Sequence, residues 1–419
     1  MTRLSRRSVL LAWSGLILAA CGPSTAVAPT SPPTVSATPG QPKPAASPAS
    51  AAPVAAPASP VAAASPAAAA VASPVAAASP VAAASPAAAG GTGAWPPARG
   101  SVVAQAPAGK TWTLGIVQFV SHPALDAARK GTIDALSDNG FKEGTNLKVD
   151  FQNGQADVGT VNSIAQRFKD ANPDLVVAIA TPPYQAMLNV SKSDGKPPLV
   201  FNSIVDPFAV SGGIVKTPTD KPNWVTGLQA LPPVEDAMRL AQRTVPAAKK
   251  YGLIWNPTEA NSVVVTGLAR EAATKLSIEL IEQTISKPDE VLQAAQALVT
   301  KGIDLFFVST DSTVVAAFEA VVKVANDNKK PLFANDPSSA ARGASAALGI
   351  DYEQVGYESG QMAAMFLAGK SMSEIPVQKA SLGLLAINAR AAADQGVTFP
   401  ADVMNEVKQT YNEIAVPKP

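Results

Sequence analysis

The chain has 419 residues, with 33 Lys and Arg against 32 Asp and Glu, one cysteine and one histidine. A single cysteine excludes an internal disulfide, and a Cys/His metal centre has no ligand set to draw on. No basic patch stands out, which argues against a nucleic-acid partner, and nothing calls for a cofactor.

The first residues read as an export signal. Arg3, Arg6 and Arg7 precede an apolar run from Val9 to Ala20, too short for a comfortable membrane span. The run ends Leu18-Ala19-Ala20-Cys21-Gly22, which resembles a bacterial lipobox. Residues 1–21 are therefore predicted to be a lipoprotein signal, with Cys21 the acylated first mature residue and the membrane reached through that lipid. Ser5-Arg6-Arg7-Ser8-Val9-Leu10 also resembles a twin-arginine signal, and both export routes stay open. Without the three arginines the balance is 30 basic against 32 acidic residues, a net of −2. Residues 22–109 repeat Ala, Pro and Ser, with Ala-Ser-Pro-Val-Ala-Ala recurring between 58 and 87. Prolines at that density break helices and leave little to bury, so a disordered linker of polyproline character is predicted.

From Thr113 onward, strands and helices alternate. Strands are predicted at Leu114–Phe119, Leu147–Phe151, Asp174–Ala180 and Leu199–Asn202, with helices at Pro123–Asn139, around Val161 to Phe168, and from Pro182. A second set follows: helix Val234–Arg243, strand Lys250–Trp255, helix 262–276, strand Ile278–Glu282, helix 288–301, strand Leu305–Ser309, helix 313–327 and strand Pro331–Ala334. Continuous apolar strands such as Asp174–Ala180 belong to parallel sheets covered on both faces. The fold class is α/β, with two doubly wound parallel-sheet lobes, 110–228 and 229–348, joined by a hinge. Crossings are placed at Val225–Leu231 and near Leu348–Asp351, and 349–419 is expected to cross over and cover both lobes.

In open sheets of this kind ligands sit beyond the carboxyl ends of the strands. Those ends are polar here: Gln118 with Ser121 and His122; Thr181, Tyr184 and Gln185; Asn202, Ser203 and Asp206; Asn256 to Ser262; Ser309 to Thr313; Asn335 to Ser339. Helix capping accounts for one such residue per turn, with Asp311, Ser312, Asn261 and Ser262 as natural caps. Clusters of four or five point to a ligand crevice. The candidates are Gln118, Thr181, Tyr184, Gln185, Asp206, Asn256, Glu259, Asn261, Ser262, Asp311 and Asp336. His122 reads as exposed and partnerless, a poor catalytic base. With no Gly-x-Ser-x-Gly elbow and no phosphate loop, the sequence does not read as an enzyme.

The turns also carry a resemblance. Ser-His-Pro-Ala-Leu-Asp-Ala-Ala-Arg-Lys-Gly (121–131), Ala-Thr-Pro (180–182) with Gln185, Asp206-Pro207 and Thr226-Gly227 resemble one lineage of ABC-transporter substrate-binding proteins. So do Asn256-Pro257-Thr258-Glu259-Ala260-Asn261-Ser262, Thr310-Asp311-Ser312-Thr313-Val314-Val315 and Gly349-Ile350-Asp351-Tyr352. The lineage includes tryptophan- and tyrosine-binding lipoproteins, and the likeness spans about residues 111–390. It departs at a Lys/Pro-rich insertion near 216–223 and is weak after Ala389. The resemblance implies a type I periplasmic-binding fold and an aromatic amino acid as ligand. It implies delivery to ABC permease subunits by a monomer on the outer face of the cytoplasmic membrane; a sensory module of the same fold, or a binder of a purine or sugar, is the alternative. For a zwitterion, Asp206, Asp311 and Asp336 are the acids available to an ammonium, and the helix starts after Thr181 and Asn261 the donors for a carboxylate. Phe119, Tyr184, Phe208 and Trp255 lie near the same rim, with Tyr184 the favoured contact. Asp311 is expected to serve the ligand and not the fold.

Overall fold

Alternating apolar strands and amphipathic helices build two sheets, each wound on both faces. A computed structural model describes residues 95–381 and 383–415; the predicted signal, Cys21 and the linker up to residue 94 lie outside the described residues. The first lobe runs β1 (Trp112–Gln118), α1 (Pro123–Asp138), β2 (Leu147–Asn153), α2 (Val158–Ala171), β3 (Leu175–Ile179), α3 (Thr181–Ser191), β4 (Leu199–Ile204) and β5 (Val225–Gln229). The chain then crosses to α4 (Val234–Thr244), β6 (Lys250–Trp255), α5 (Ala260–Leu276), β7 (Glu279–Thr284) and α6 (Val291–Thr300). The second lobe continues with β8 (Leu305–Val308), α7 (Ser312–Ala316), α8 (Phe318–Asp327), β9 (Leu332–Ala334), α9 (Ser338–Ala341) and β10 (Ala346–Gly349). A second crossing returns α10 (Tyr352–Leu367) and β11 (Gln378–Lys379) to the first lobe. A third takes β12 (Leu384–Asn388), α11 (Ala389–Gln395), α12 (Ala401–Glu406) and β13 (Gln409–Tyr411) to the second.

The sheet orders are β11-β5-β4-β3-β1-β2 and β13-β12-β10-β9-β8-β6-β7. Every pairing is parallel except β10 with β12. In each lobe the winding reverses once, between β1 and β3 and between β6 and β8. That reversal opens a crevice at the carboxyl ends of the strands, and this is where ligands bind in doubly wound sheets. β3, Leu-Val-Val-Ala-Ile, is buried at every residue, as a central strand with helices on both faces must be.

One apolar core fills the first lobe, and two lie on the opposite faces of the second sheet. A fourth cluster joins Leu228 and Ala230 of the first crossing, Ile350 of the second and Ile375 ahead of the third. α10 reaches the first lobe by close approach to α1. A Cβ on Gly356 would lie 1.9 Å from the Ala128 carbonyl oxygen, and one on Gly131 would lie 2.1 Å from that of Glu353. Only glycine lets the two backbones come so near.

Several expectations are revised. The linker was placed up to residue 109, but Val103 and Ala104 donate backbone N–H groups to Asn139 Oδ1 (2.8 and 2.9 Å), and Gly100 N–H donates to the Tyr357 hydroxyl. These bonds bind the segment to α1 and α10. α5 starts at Ala260, so Asn261 and Ser262 sit in its first turn instead of capping it. The helix expected over 313–327 breaks at Ala317 into α7 and α8. The Lys/Pro-rich insertion is stitched down: Lys221 Nζ donates to the carbonyls of Val225 (2.9 Å) and Met372 (2.7 Å), and burial lowers its pKa to about 8.

Candidate functional site

The strand ends of the two lobes face each other across a narrow cleft within one compact unit. The cleft is lined from the first lobe by His122, Ala124, Leu125, Ala180, Thr181, Ser203, Val205 and Tyr352, and from the second by Asn261, Thr310, Ser312, Val315 and Asp336. The cavity volume is about 20 Å³, room for one or two waters. Ala260, Val264 and Ala316 of the second lobe pack onto the core of the first, so the lobes touch through apolar side chains beside the polar lining.

Four buried polar atoms on this lining have no hydrogen-bond partner: His122 Nδ1, Thr181 Oγ1, Asn261 Oδ1 and Thr310 Oγ1. Buried polar groups are nearly always paired, because an unmade bond costs about 1–3 kcal/mol. Ala180 and Ser203, also on the lining, hold left-handed backbone at φ +81 and +59, a strain that concentrates at functional sites. α1 and α5 start at the cleft with no side-chain cap, so their first N–H groups are free for an acceptor. α3 also starts uncapped, but Pro182 and Pro183 carry no N–H, which leaves Thr181 as the one donor among its first three residues.

Three of the predicted residues line the cavity: Thr181, Asn261 and Asp336. Asp336 is buried; it accepts from Ser338 N–H (3.0 Å) and the Ser338 hydroxyl (2.7 Å), and burial raises its pKa. The other predicted residues are engaged elsewhere. Tyr184 is fully buried in the first core, stacked at a tilt on Phe201, its hydroxyl donating to the Pro207 carbonyl (3.1 Å). It packs in the core and does not line the cavity. Gln185 is exposed and donates to the Val210 carbonyl, while Asp206 turns back onto the N–H groups of Phe208 and Ala209. Gln118 donates to the Val120 carbonyl and to Asp126.

Asn256, Glu259, Ser262 and Asp311 form a buried network behind the lining. Asp311 caps α7 through Val314 N–H (2.8 Å) and accepts from Asn256 N–H and the Ser262 hydroxyl, both at 2.6 Å. Burial, with the Glu259 carboxylate second, raises its pKa. Glu259 in turn accepts from Ser312 N–H (3.3 Å), Thr313 N–H (2.9 Å), the Thr313 hydroxyl and Asn261 Nδ2 (3.2 Å). Asn256 Nδ2 donates to the Thr313 hydroxyl, and its Oδ1 accepts from Thr258. Each turn thus places an acid on the other's helix start. Asp311, expected to serve the ligand, accepts from three donors of the fold and does not line the cavity.

Ten of the thirteen lining residues were not among the candidates, His122 and Tyr352 with them. His122 is buried, not exposed; burial first and Arg342 second lower its pKa to about 3, so the ring is neutral. Tyr352, half-buried, is the aromatic on the lining, its pKa raised by burial and by neighbouring Asp336. Phe119, Phe208 and Trp255 do not line the cavity. The Gly349-Ile350-Asp351-Tyr352 motif carried the only signal for Tyr352, and it lies at a crossing instead of a strand-to-helix turn.

Two lobes linked by three chain crossings, whose strand-end turns converge on one partly unsatisfied polar cleft, define a bilobal solute-binding protein. Residues 113–411 match the family described as ABC transporter substrate binding protein, and the chain belongs to that family. A tyrosine-binding protein of Clostridioides difficile (strain R20291) is 42% identical over 269 residues, 64% of this chain and 76% of that protein. The crystal structure of an ABC domain from Streptococcus pneumonia in complex with L-Trp is 28% identical, with a TM-score of 0.67 over 72% of this chain and all of that one. A ligand-free, open substrate-binding protein from Clostridium difficile is 35% identical over the same shares, with a TM-score of 0.54. The chain overlays better on the L-Trp complex than on the open protein that it resembles more in sequence.

Proposed function

We propose that this protein captures an aromatic amino acid as a zwitterion in the cleft and delivers it to an ABC permease. The observation that carries the reading is the set of unpartnered buried polar atoms contributed by both lobes to one cavity. A ligand bridging them satisfies both lobes at once and so favours closure by its differential affinity for the closed form. Asp336 faces the ammonium, and the free N–H groups at the starts of α1 and α5 take the carboxylate. Tyr352, with Leu125, Val205 and Val315, supplies the wall for a ring. The relatives named for tyrosine and for L-Trp favour this ligand class over sugars and purines. With space for one or two waters in the cleft, uptake requires the lobes to part.

The carrier is placed outside the cytoplasmic membrane, a monomer tethered through a lipid on Cys21. Thermal shift of the mature chain against L-tyrosine, L-tryptophan and L-phenylalanine, with myo-inositol and adenine alongside, tests the ligand. At a hundred times its dissociation constant the true ligand adds about 2.7 kcal/mol to stability. Stabilisation by inositol or adenine with none by any aromatic amino acid would overturn the assignment.

A further inference from the structure

An asparagine amide presents an acceptor on one side and two donors on the other, so its orientation decides what it can recognise. Asn261 is buried in the first turn of α5 and lines the cleft. Its Nδ2 lies 3.2 Å from Glu259 Oε2 and 3.2 Å from the Thr310 carbonyl oxygen. Both neighbours accept only, which fixes the nitrogen on their side and leaves Oδ1 unpartnered on the other, on a residue that lines the cavity. Glu259 cannot turn away, because Thr313 N–H at 2.9 Å, the Thr313 hydroxyl and Ser312 N–H at 3.3 Å hold both of its oxygens.

We infer that Glu259 is a positioning residue for ligand selection: by holding the Asn261 amide nitrogen it makes Asn261 Oδ1 a fixed acceptor for the ligand's ammonium. The inference rests on the amino-acid reading above and goes further, naming the group that is recognised and the residue that sets the polarity. Asp336 lines the same cavity, so the second-lobe wall offers two acceptors to one donor group. Glu259 itself does not line the cavity; it acts through Asn261.

Replacing Glu259 by glutamine keeps the shape but removes the acceptor that Oε2 offers to Asn261 Nδ2 and to Ser312 N–H. The Thr313 donors hold the new side-chain oxygen, so its NH₂ faces Asn261 and turns that amide against its one remaining acceptor, the Thr310 carbonyl, to show its own NH₂ to the ligand. The probes are L-tyrosine and 3-(4-hydroxyphenyl)propionate, which lacks the ammonium, titrated into the full mature chain. Glu259→Gln is expected to weaken L-tyrosine by about 10- to 100-fold while leaving the deamino acid within about threefold, as loss of one buried bond to a charged group requires. Glu259→Gln combined with Asn261→Asp presents an acceptor to the cleft again and restores L-tyrosine affinity to within about tenfold. Equal weakening of both probes, or no rescue by the double variant, overturns the inference. Failure of the wild type to bind any amino acid is a separate result that removes the ligand reading. A ligand-free arm then decides the orientation: in side-chain amide NMR the Asn261 NH₂ protons should exchange slowly in the wild type and at least tenfold faster in Glu259→Gln. Equal exchange in the two proteins refutes the positioning role.

Discussion

Asp311→Ala tests the claim that this acid supports the fold. The substitution strands Asn256 N–H, the Ser262 hydroxyl and Val314 N–H, now bonded at 2.6, 2.6 and 2.8 Å. All three residues are at most 3% exposed, so water does not replace the lost acceptor. Each stranded donor costs about 1–3 kcal/mol, and loss of the α7 cap falls within that sum. Part is returned, because the carboxyl is itself costly to hold in the dry interior, as its raised pKa shows. A net loss of about 3 kcal/mol results, or about 4–5 °C in melting temperature at about 2.1 cal/mol/K of unfolding entropy per folded residue. Calorimetry of the ligand-free protein measures it. Asp311→Asn adds a pH test. A carboxyl whose pKa is raised by folding contributes stability that is present at low pH and lost as pH rises through the folded value. The deficit of the Asn variant against wild type should therefore shrink from pH 4 upward. A ligand-free Asp311→Ala protein melting within about 1 °C of wild type would refute the reasoning.

Further outcomes follow from the same geometry. Gly356→Ala drives a Cβ into the α1 backbone at Ala128 and should cost about 1–3 kcal/mol or more, read by urea unfolding; a neutral result would mean that α1 and α10 are not in close contact. His122, with a folded pKa of about 3 against about 6.5 unfolded, makes stability fall as pH drops below about 6.5, by up to about 1.4 kcal/mol per unit until about pH 3. His122→Gln should flatten that acid limb relative to wild type, and parallel pH profiles would show that the ring charges freely in the fold. Cys21→Ser should move the protein from the membrane fraction to the soluble one, and continued membrane association would replace the lipid anchor with a retained signal.

The alternation of apolar and amphipathic segments was legible because period and burial are local properties of the chain. Parallel strands covered on both faces read as unbroken apolar runs, and β3 is such a run. The polar turns were legible as a group for the same reason: strand ends in a doubly wound sheet share one edge. Individual roles in those turns were not. Asp336 and Asp311 look alike in sequence, yet one lines the cavity and the other is surrounded by donors from two neighbouring turns. Tyr184 and Tyr352 differ likewise: the first stacks on Phe201 in the core, while the second starts the helix that re-enters the first lobe at the cleft.

The sequence by itself therefore determined the α/β architecture, the turns that compose the crevice and the family whose motifs they carry. Tertiary structure alone decided which polar atoms stay unpaired. A side chain's chemistry states what it can bond, but the partner that consumes each lone pair arrives from elsewhere in the chain. Glu259 illustrates the division. From sequence it is one acid in a polar turn; in the fold, the α7 start holds it in place where it accepts from the amide nitrogen of Asn261.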